Sequence, residues 1–289
     1  MQPFDYFRPR SLSEATTLLS DFGSSARLLA GGTDLTVGLR HHLISPKVVI
    51  DLKRIAEFAA GIAVAEGGLF VPATVTMAKL VGNTFVRQHF SALVEAAAVV
   101  GSPQIRNRAT LVGNICNASP AADTVPALVV YGASVVIHGK GAAREVPVID
   151  FIQGNRRIDL QPGELVVAVR LPIPQGPFGA AFGRITRRRG VDLATTAVCC
   201  GIGPSGKAML ALGAVSPRPL LVEDKDGVFS NPDMAVAERM ARLDGIVGHA
   251  APISDVRATA GYRRAMLKVL AGRTFDRARQ RMHLWGQNA

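Results

Sequence analysis

The chain switches between helical spacing of its apolar residues and short strand-like runs, and these switches lay out its predicted elements. Residues 12–19 carry apolar positions at helical spacing behind a Ser11/Glu14 pair that fits a capping box, which predicts a short opening helix. The apolar run Leu28-Leu29-Ala30 enters the pair Gly31-Gly32, the pattern of a strand feeding a tight turn. Residues 47–52 and 69–71 read as further strands, and 77–80 and 90–100 as helices, with no regular βαβ beat across the first half. Residues 104–123 are rich in Asn, Gly, Ser and Thr but carry few charges, a polar loop better suited to binding than to linking. Strands follow at 133–138 and 164–171. The proline-rich stretch Pro172-Ile173-Pro174-Gln175-Gly176-Pro177 is the clearest boundary signal. Beyond it, 194–201 and 207–212 read as paired strands, and 255–283 as an amphipathic helical region broken at Gly272.

Two domains follow, residues 1–174 and 178–284, as the 289-residue length and 48% hydrophobic content allow. The first ten residues hold two prolines and no apolar stretch, so no secretory leader is expected there, and no apolar run is long enough to span a bilayer. The cytoplasm is the expected compartment. With only Cys116, Cys199 and Cys200, and no CxxC or HExxH spacing, the chain cannot by itself ligate an iron–sulfur cluster, and no metal site is expected in it.

Charge changes the picture in one respect. The formal net charge is +11, divided as +3 over residues 1–176 (16 basic, 13 acidic) and +8 over 177–289 (17 basic, 9 acidic). Such asymmetry fits an anionic cofactor, an acidic partner or nucleic acid. Only 6% of residues are aromatic and no nucleic-acid-reading signature is present, which weighs against nucleic acid.

Two segments carry candidate chemistry. One is Leu28, Leu29, Ala30, Gly31, Gly32, Thr33, Asp34 and Leu35; the other includes Thr110, Leu111, Val112, Gly113, Asn114, Asn117 and Asp123. Glycine lets a ligand approach backbone N–H groups closely, and successive amides form an anion nest that suits a dinucleotide pyrophosphate. On spacing alone, plain turns with loop-capping amides explain the segments equally well. Gly201-Ile202-Gly203-Pro204-Ser205-Gly206 matches a dinucleotide fingerprint literally, and with Lys207-Ala208 nearly matches a P-loop. Pro-Ser-Gly reads instead as a turn between strands, and Ala208 lacks the hydroxyl that a P-loop needs for magnesium. His41, His42 and His138 read as ordinary surface or strand histidines, and no catalytic acid, base or nucleophile is nominated.

Taken together, the segments resemble the FAD-binding medium subunits of molybdenum hydroxylases of the xanthine dehydrogenase and carbon monoxide dehydrogenase type. The likeness runs from Phe4-Asp5-Tyr6-Phe7-Arg8-Pro9 to Ser254-Asp255-Val256-Arg257 and Tyr262-Arg263-Arg264. It implies an α+β fold: a two-subdomain FAD-binding domain of the vanillyl-alcohol-oxidase/PCMH type, then a smaller α+β domain. It implies FAD held by the two segments, with Asn114 and Asp123 orienting it and Val166 as an apolar contact. It further implies an iron–sulfur small subunit with 2Fe–2S clusters and a large subunit with the molybdenum cofactor, assembled as a dimer of heterotrimers. Electrons would pass from the clusters through FAD to an external acceptor. Two positions depart from the family pattern. Val112-Gly113 stands where a glycine pair is usual, and Phe182 is followed by Gly183, where many relatives have lysine, with Arg184 next as the alternative cation. A stand-alone flavoenzyme, such as one similar to the enolpyruvyl reductase of cell-wall synthesis, and a nucleotide- or nucleic-acid-binding protein are the competing expectations.

Overall fold

The computed structural model describes residues 1–139, 143–225, 227 and 234–285. Its first unit is β1 (Asp5–Phe7), α1 (Leu12–Phe22), β2 (Ala26–Leu29), α2 (Leu35–Arg40) and β3 (Val48–Asp51), a parallel sheet in the order β1-β3-β2. This is a β-α-β-α-β run, where the apolar pattern had suggested no such beat. The reason is local: β1 has three residues, none buried, and α2 has six, too few for a period to register. The Ser11 cap is present, its hydroxyl accepting from the Glu14 amide at 3.1 Å, but the Glu14 carboxylate reaches back to the Arg10 amide at 2.7 Å.

The second unit opens with β4 (Ala63–Ala65) and β5 (Gly68–Pro72). Six helices follow: α3 (Met77–Gly82), α4 (Thr84–His89), α5 (Ser91–Ala98), α6 (Pro103–Arg106), α7 (Leu111–Cys116) and α8 (Thr124–Val130). It closes with β6 (Ser134–His138), β7 (Arg144–Pro147), α9 (Val148–Phe151), the hairpin β8 (Ile152–Gly154) and β9 (Arg157–Ile158), and β10 (Leu165–Pro172). The antiparallel sheet runs β4-β5-β10-β6-β7. The expected polar loop over residues 104–123 is corrected here, because most of α6 and all of α7 lie within it. Each starts on a hydroxyl cap, Ser102 accepting from the Ile105 amide and Thr110 from the Gly113 amide.

The third unit is an antiparallel sheet of β11 (Gly179–Ile185), β12 (Thr196–Ile202), β13 (Ala208–Gly213) and β14 (Leu220–Glu223), followed by α10 (Val236–Val247) and α11 (Ala260–His283). All seven positions of β12 are buried because both faces are covered. Ala197 and Cys199 join the core shared with the first two units, while Val198, Cys200 and Ile202 join the core beneath α11. The glycine-rich stretch after residue 201 forms the turn between β12 and β13, closed by the Gly206 amide on the Gly203 carbonyl at 3.0 Å, and no helix follows it.

The terminal helix departs from expectation twice. It is continuous through Gly272, since Leu267, Leu270, Ala271, Phe275 and Ala278 keep one buried row; a helix-interior glycine costs only about 1 kcal/mol. It begins at Ala260 because Thr259 caps it, while the Asp255 carboxylate accepts from the amides of Arg257 and Ala258 and holds a turn instead. Among the described residues, no helix is long and apolar enough to cross a membrane.

Candidate functional site

The first loop leaves the sheet at the end of β2, which contains Leu28 and Leu29, turns through Ala30–Asp34, and enters α2 at Leu35. Gly32 has φ +76°, in the region that favours glycine, and a Cβ there would stand 2.7 Å from Leu29 Cδ1. Gly31 is needed for another reason. A Cβ on it would fall 2.2 Å from the Arg108 carbonyl oxygen and 3.0 Å from Ala109 Cα. The first loop therefore lies directly on the backbone that leads into the second segment, though nearly eighty residues separate the two.

Among the described residues, the Gly31, Gly32 and Thr33 amides donate to no protein acceptor. They are half-buried, and groups so placed need a partner from outside the chain or from water. Lys53 supports the loop from below, its Nζ 2.6 Å from Asp51 Oδ1 and 3.5 Å from the Ala30 carbonyl. Burial pushes the Asp51 carboxyl up, but hydrogen bonds from Lys53 and Tyr6 outweigh it and hold the group below the usual carboxylate range.

In the second segment Thr110 caps α7, with its Oγ1 3.0 Å from the Gly113 amide. Leu111 and Val112 point into the core at 0% and 4% exposure, leaving Gly113 exposed and Asn114 half-buried on the other side. Asn114 Oδ1 accepts from Thr124 Oγ1 at 2.7 Å, which ties α7 to α8. Val112 thus fills core volume, while Gly113 is the position a ligand can approach.

Asp123 stands at the N-cap position just before α8 and is 7% exposed. Its Oδ2 lies 2.6 Å from Arg184 Nη1, and its Oδ1 has no hydrogen-bond partner among the described residues. Burial raises its pKa to about 7, with Arg184 opposing the shift. The departure at Gly183 has a packing cause. Residues of β11 alternate in direction: Ala181, Gly183 and Ile185 face α11, whereas Ala180 and Phe182 face the larger core. A Cβ at Gly183 would already stand 3.2 Å from Leu270 and Thr274, so a lysine there would point into α11. Arg184, one residue on, takes the other direction and reaches Asp123.

Val166 lies apart from these groups in character. It is a core residue of β10, 3% exposed, in the strand against which α7 packs. His41 and His42 are exposed beyond α2, and His138 ends β6. Arg156 went unnoticed in the sequence. It occupies the β8–β9 turn and donates to Asp34 Oδ2 at 2.8 Å and to Asn117 Oδ1, so one guanidinium touches both segments. No motif announces it, since Asp34 and Arg156 meet only through the tertiary fold.

The unpaired Gly31–Thr33 amides, set against the lead into the second segment, can take an anionic group, and Asp123 Oδ1 beside Arg184 is left without a hydrogen-bond partner among the described residues. A family profile described as the FAD binding domain in molybdopterin dehydrogenase matches residues 2–174. The chain belongs to this family. It is 32% identical over 285 residues to the carbon monoxide dehydrogenase medium chain of Afipia carboxidovorans, covering 96% of this chain and 97% of that one. It is 30% identical over 279 residues to the xanthine dehydrogenase FAD-binding subunit of Escherichia coli, covering 94% and 95% respectively. Among solved structures, a carbon monoxide dehydrogenase chain from Hydrogenophaga pseudoflava superposes with a TM-score of 0.89 at 29% identity, over 97% of this chain and 99% of that one. The protein is thus an FAD-binding subunit of the molybdenum hydroxylase family, an oxidoreductase flavoprotein. Its residues fit FAD: the Gly31–Thr33 amides suit a diphosphate, and the lone Asp123 Oδ1 suits a polar ring edge.

Proposed function

We propose that this chain is the electron-transfer subunit of a cytoplasmic molybdenum hydroxylase, linking the iron–sulfur clusters of a partner to an external acceptor through bound FAD. The reading is supported chiefly by the contact of the first loop with Arg108 and Ala109, which brings two glycine-bearing segments to one cradle. In this reading Ala30 to Asp34 hold the pyrophosphate by backbone amides, and Thr110 to Asn114 with Asn117 form the opposite wall. Asp123 and Arg184 contact the ring system, with Leu28, Leu29, Leu35 and Val166 shaping the apolar surround. FAD supplies the redox chemistry, and the chain supplies position, charge and access. In this reading substrate oxidation takes place in another subunit. The partners are then an iron–sulfur small subunit and a molybdenum-cofactor large subunit, in a dimer of heterotrimers.

The test is purification of the complex from its native host with flavin and metal analysis. One FAD per chain is expected, with iron and molybdenum co-purifying and no organic-substrate oxidation by the isolated chain. FMN, or no flavin in the intact complex, would sink the FAD assignment; full-rate oxidation by the chain alone would replace the relay with a stand-alone flavoenzyme.

A pH dependence follows from Asp123. Its folded-state pKa, raised to about 7, exceeds the unfolded value, so its contribution to stability is full below about pH 4 and lost as pH rises through 7. For binding, loss of this proton removes a donor and adds negative charge beside an anionic ligand. FAD affinity should fall roughly threefold to tenfold between pH 6 and pH 8. The slope should flatten in Asp123→Asn; an unchanged slope in that variant would assign the titration to another group.

A further inference from the structure

We propose that Arg156 is a cofactor-positioning residue: its guanidinium ties Asp34 of the first loop to Asn117 of the second and cancels the Asp34 charge where the FAD pyrophosphate enters. The inference rests on the FAD reading above and adds to it a residue outside both glycine-bearing segments. Three observations carry it. The Arg156 Nη1 donates to Asp34 Oδ2 at 2.8 Å and also to Asn117 Oδ1, so a single nitrogen spans both walls of the cradle. The Arg156 amide donates to the Ala118 carbonyl at 3.0 Å, which fixes the β8–β9 turn against the end of α7. Arg156 has φ +59° and Ala118 has φ +45°, conformations that residues with a Cβ rarely adopt. Such strain persists only where surrounding structure enforces it, and it collects at functional sites.

The ion pair itself adds little to global stability, because the Arg156 and Asp34 side chains are both 57% exposed. Its effect is local. Asp34 follows directly on the Gly31–Thr33 amides, so an unpaired carboxylate there would repel the doubly negative pyrophosphate that those amides attract. With Arg156 in place the loop presents amides without opposing charge, and its distance from α7 is set before the cofactor arrives.

Arg156→Gly is the informative variant, since glycine accepts the φ of this position and the substitution removes the guanidinium without adding backbone strain. FAD is titrated into full-length apoprotein, following flavin fluorescence, alongside a thermal unfolding scan without FAD. Arg156→Gly should bind FAD at least twentyfold more weakly while its unfolding midpoint stays within a few degrees of wild type. Arg156→Lys, which keeps the charge, should stay within about fivefold of wild type. Adding Asp34→Asn to Arg156→Gly should recover at least fivefold of the lost affinity, because the repelling carboxylate is then gone. A merely structural residue would show no such recovery. Binding by Arg156→Gly within threefold of wild type, or no recovery on adding Asp34→Asn, overturns the proposal. Failure of wild-type apoprotein to bind FAD would count against the FAD reading itself, and the two failures are thereby distinguished.

Discussion

Gly31→Ala should leave the protein folded but largely without FAD. The added methyl would sit 2.2 Å from the Arg108 carbonyl oxygen and 2.9 Å from its carbon, and both are backbone atoms that cannot rotate aside. Either the first loop or the lead into α7 has to move, and each is one wall of the cradle. A loss of at least a hundredfold in FAD affinity, roughly 2.8 kcal/mol, is expected by flavin titration. Gly32→Val should act in the same direction, through the positive φ and the contact with Leu29. Val112→Gly is the contrast. Its side chain is a core filler facing away from the exposed Gly113, so FAD affinity should change by less than about tenfold. Stability should suffer instead, by about 2–4 kcal/mol from lost burial and a glycine in α7. Equal flavin-to-protein ratios in Gly31→Ala and Val112→Gly would refute the assignment of the first loop.

The second large effect belongs to Arg263, which is 3% exposed and holds the C-terminal unit at one point. Its guanidinium donates to the carbonyls of Thr195 and Ala214 and, at 2.7 Å, to Asp255 Oδ1. These partners lie before β12, after β13 and before α11. Arg263→Ala removes three charge-assisted hydrogen bonds together and leaves at least one buried carbonyl unpaired. Asp255 keeps its amide donors and some access to water, so its share of the loss is smaller. A destabilisation of about 3 kcal/mol is expected, or roughly 5 °C in the unfolding midpoint. Arg263→Met, which retains bulk, should recover part of the packing but none of the hydrogen bonding. A midpoint within 2 °C of wild type for Arg263→Ala would show that the three segments are held by other contacts.

The order of elements was legible from residue pattern for most of the longer strands and the terminal helix, though not for α10 or α8. β3, β5, β6, β10, β12, β13 and the buried row of α11 all lie within a residue or two of the apolar runs that predicted them. Several of the misses share one cause. β1, α2, α6 and α7 span three to six residues, and their start depends on a cap or a neighbouring strand. The break expected at Gly272 failed because tertiary packing of one helix face outweighs a single residue's propensity.

The glycines at 31, 32 and 113 and the acid at 123 could be read as candidates because their chemistry is local: a missing Cβ or an ionisable carboxyl is a property of the residue itself. Their assembly was not local. The contact of Gly31 with Arg108, the turn of Arg184 toward Asp123, and the reach of Arg156 to both Asp34 and Asn117 join residues 39 to 122 positions apart. No spacing rule spans such gaps, since the separation along the chain says nothing about which strand edge or turn will carry a side chain to its partner. Composition and pattern determined that this chain is a mixed α and β protein with two anion-suited segments and too few cysteines for a cluster of its own. Only the tertiary structure decided that the segments form one cradle, because backbone contact, strand direction and burial arise when the sheets pack against one another.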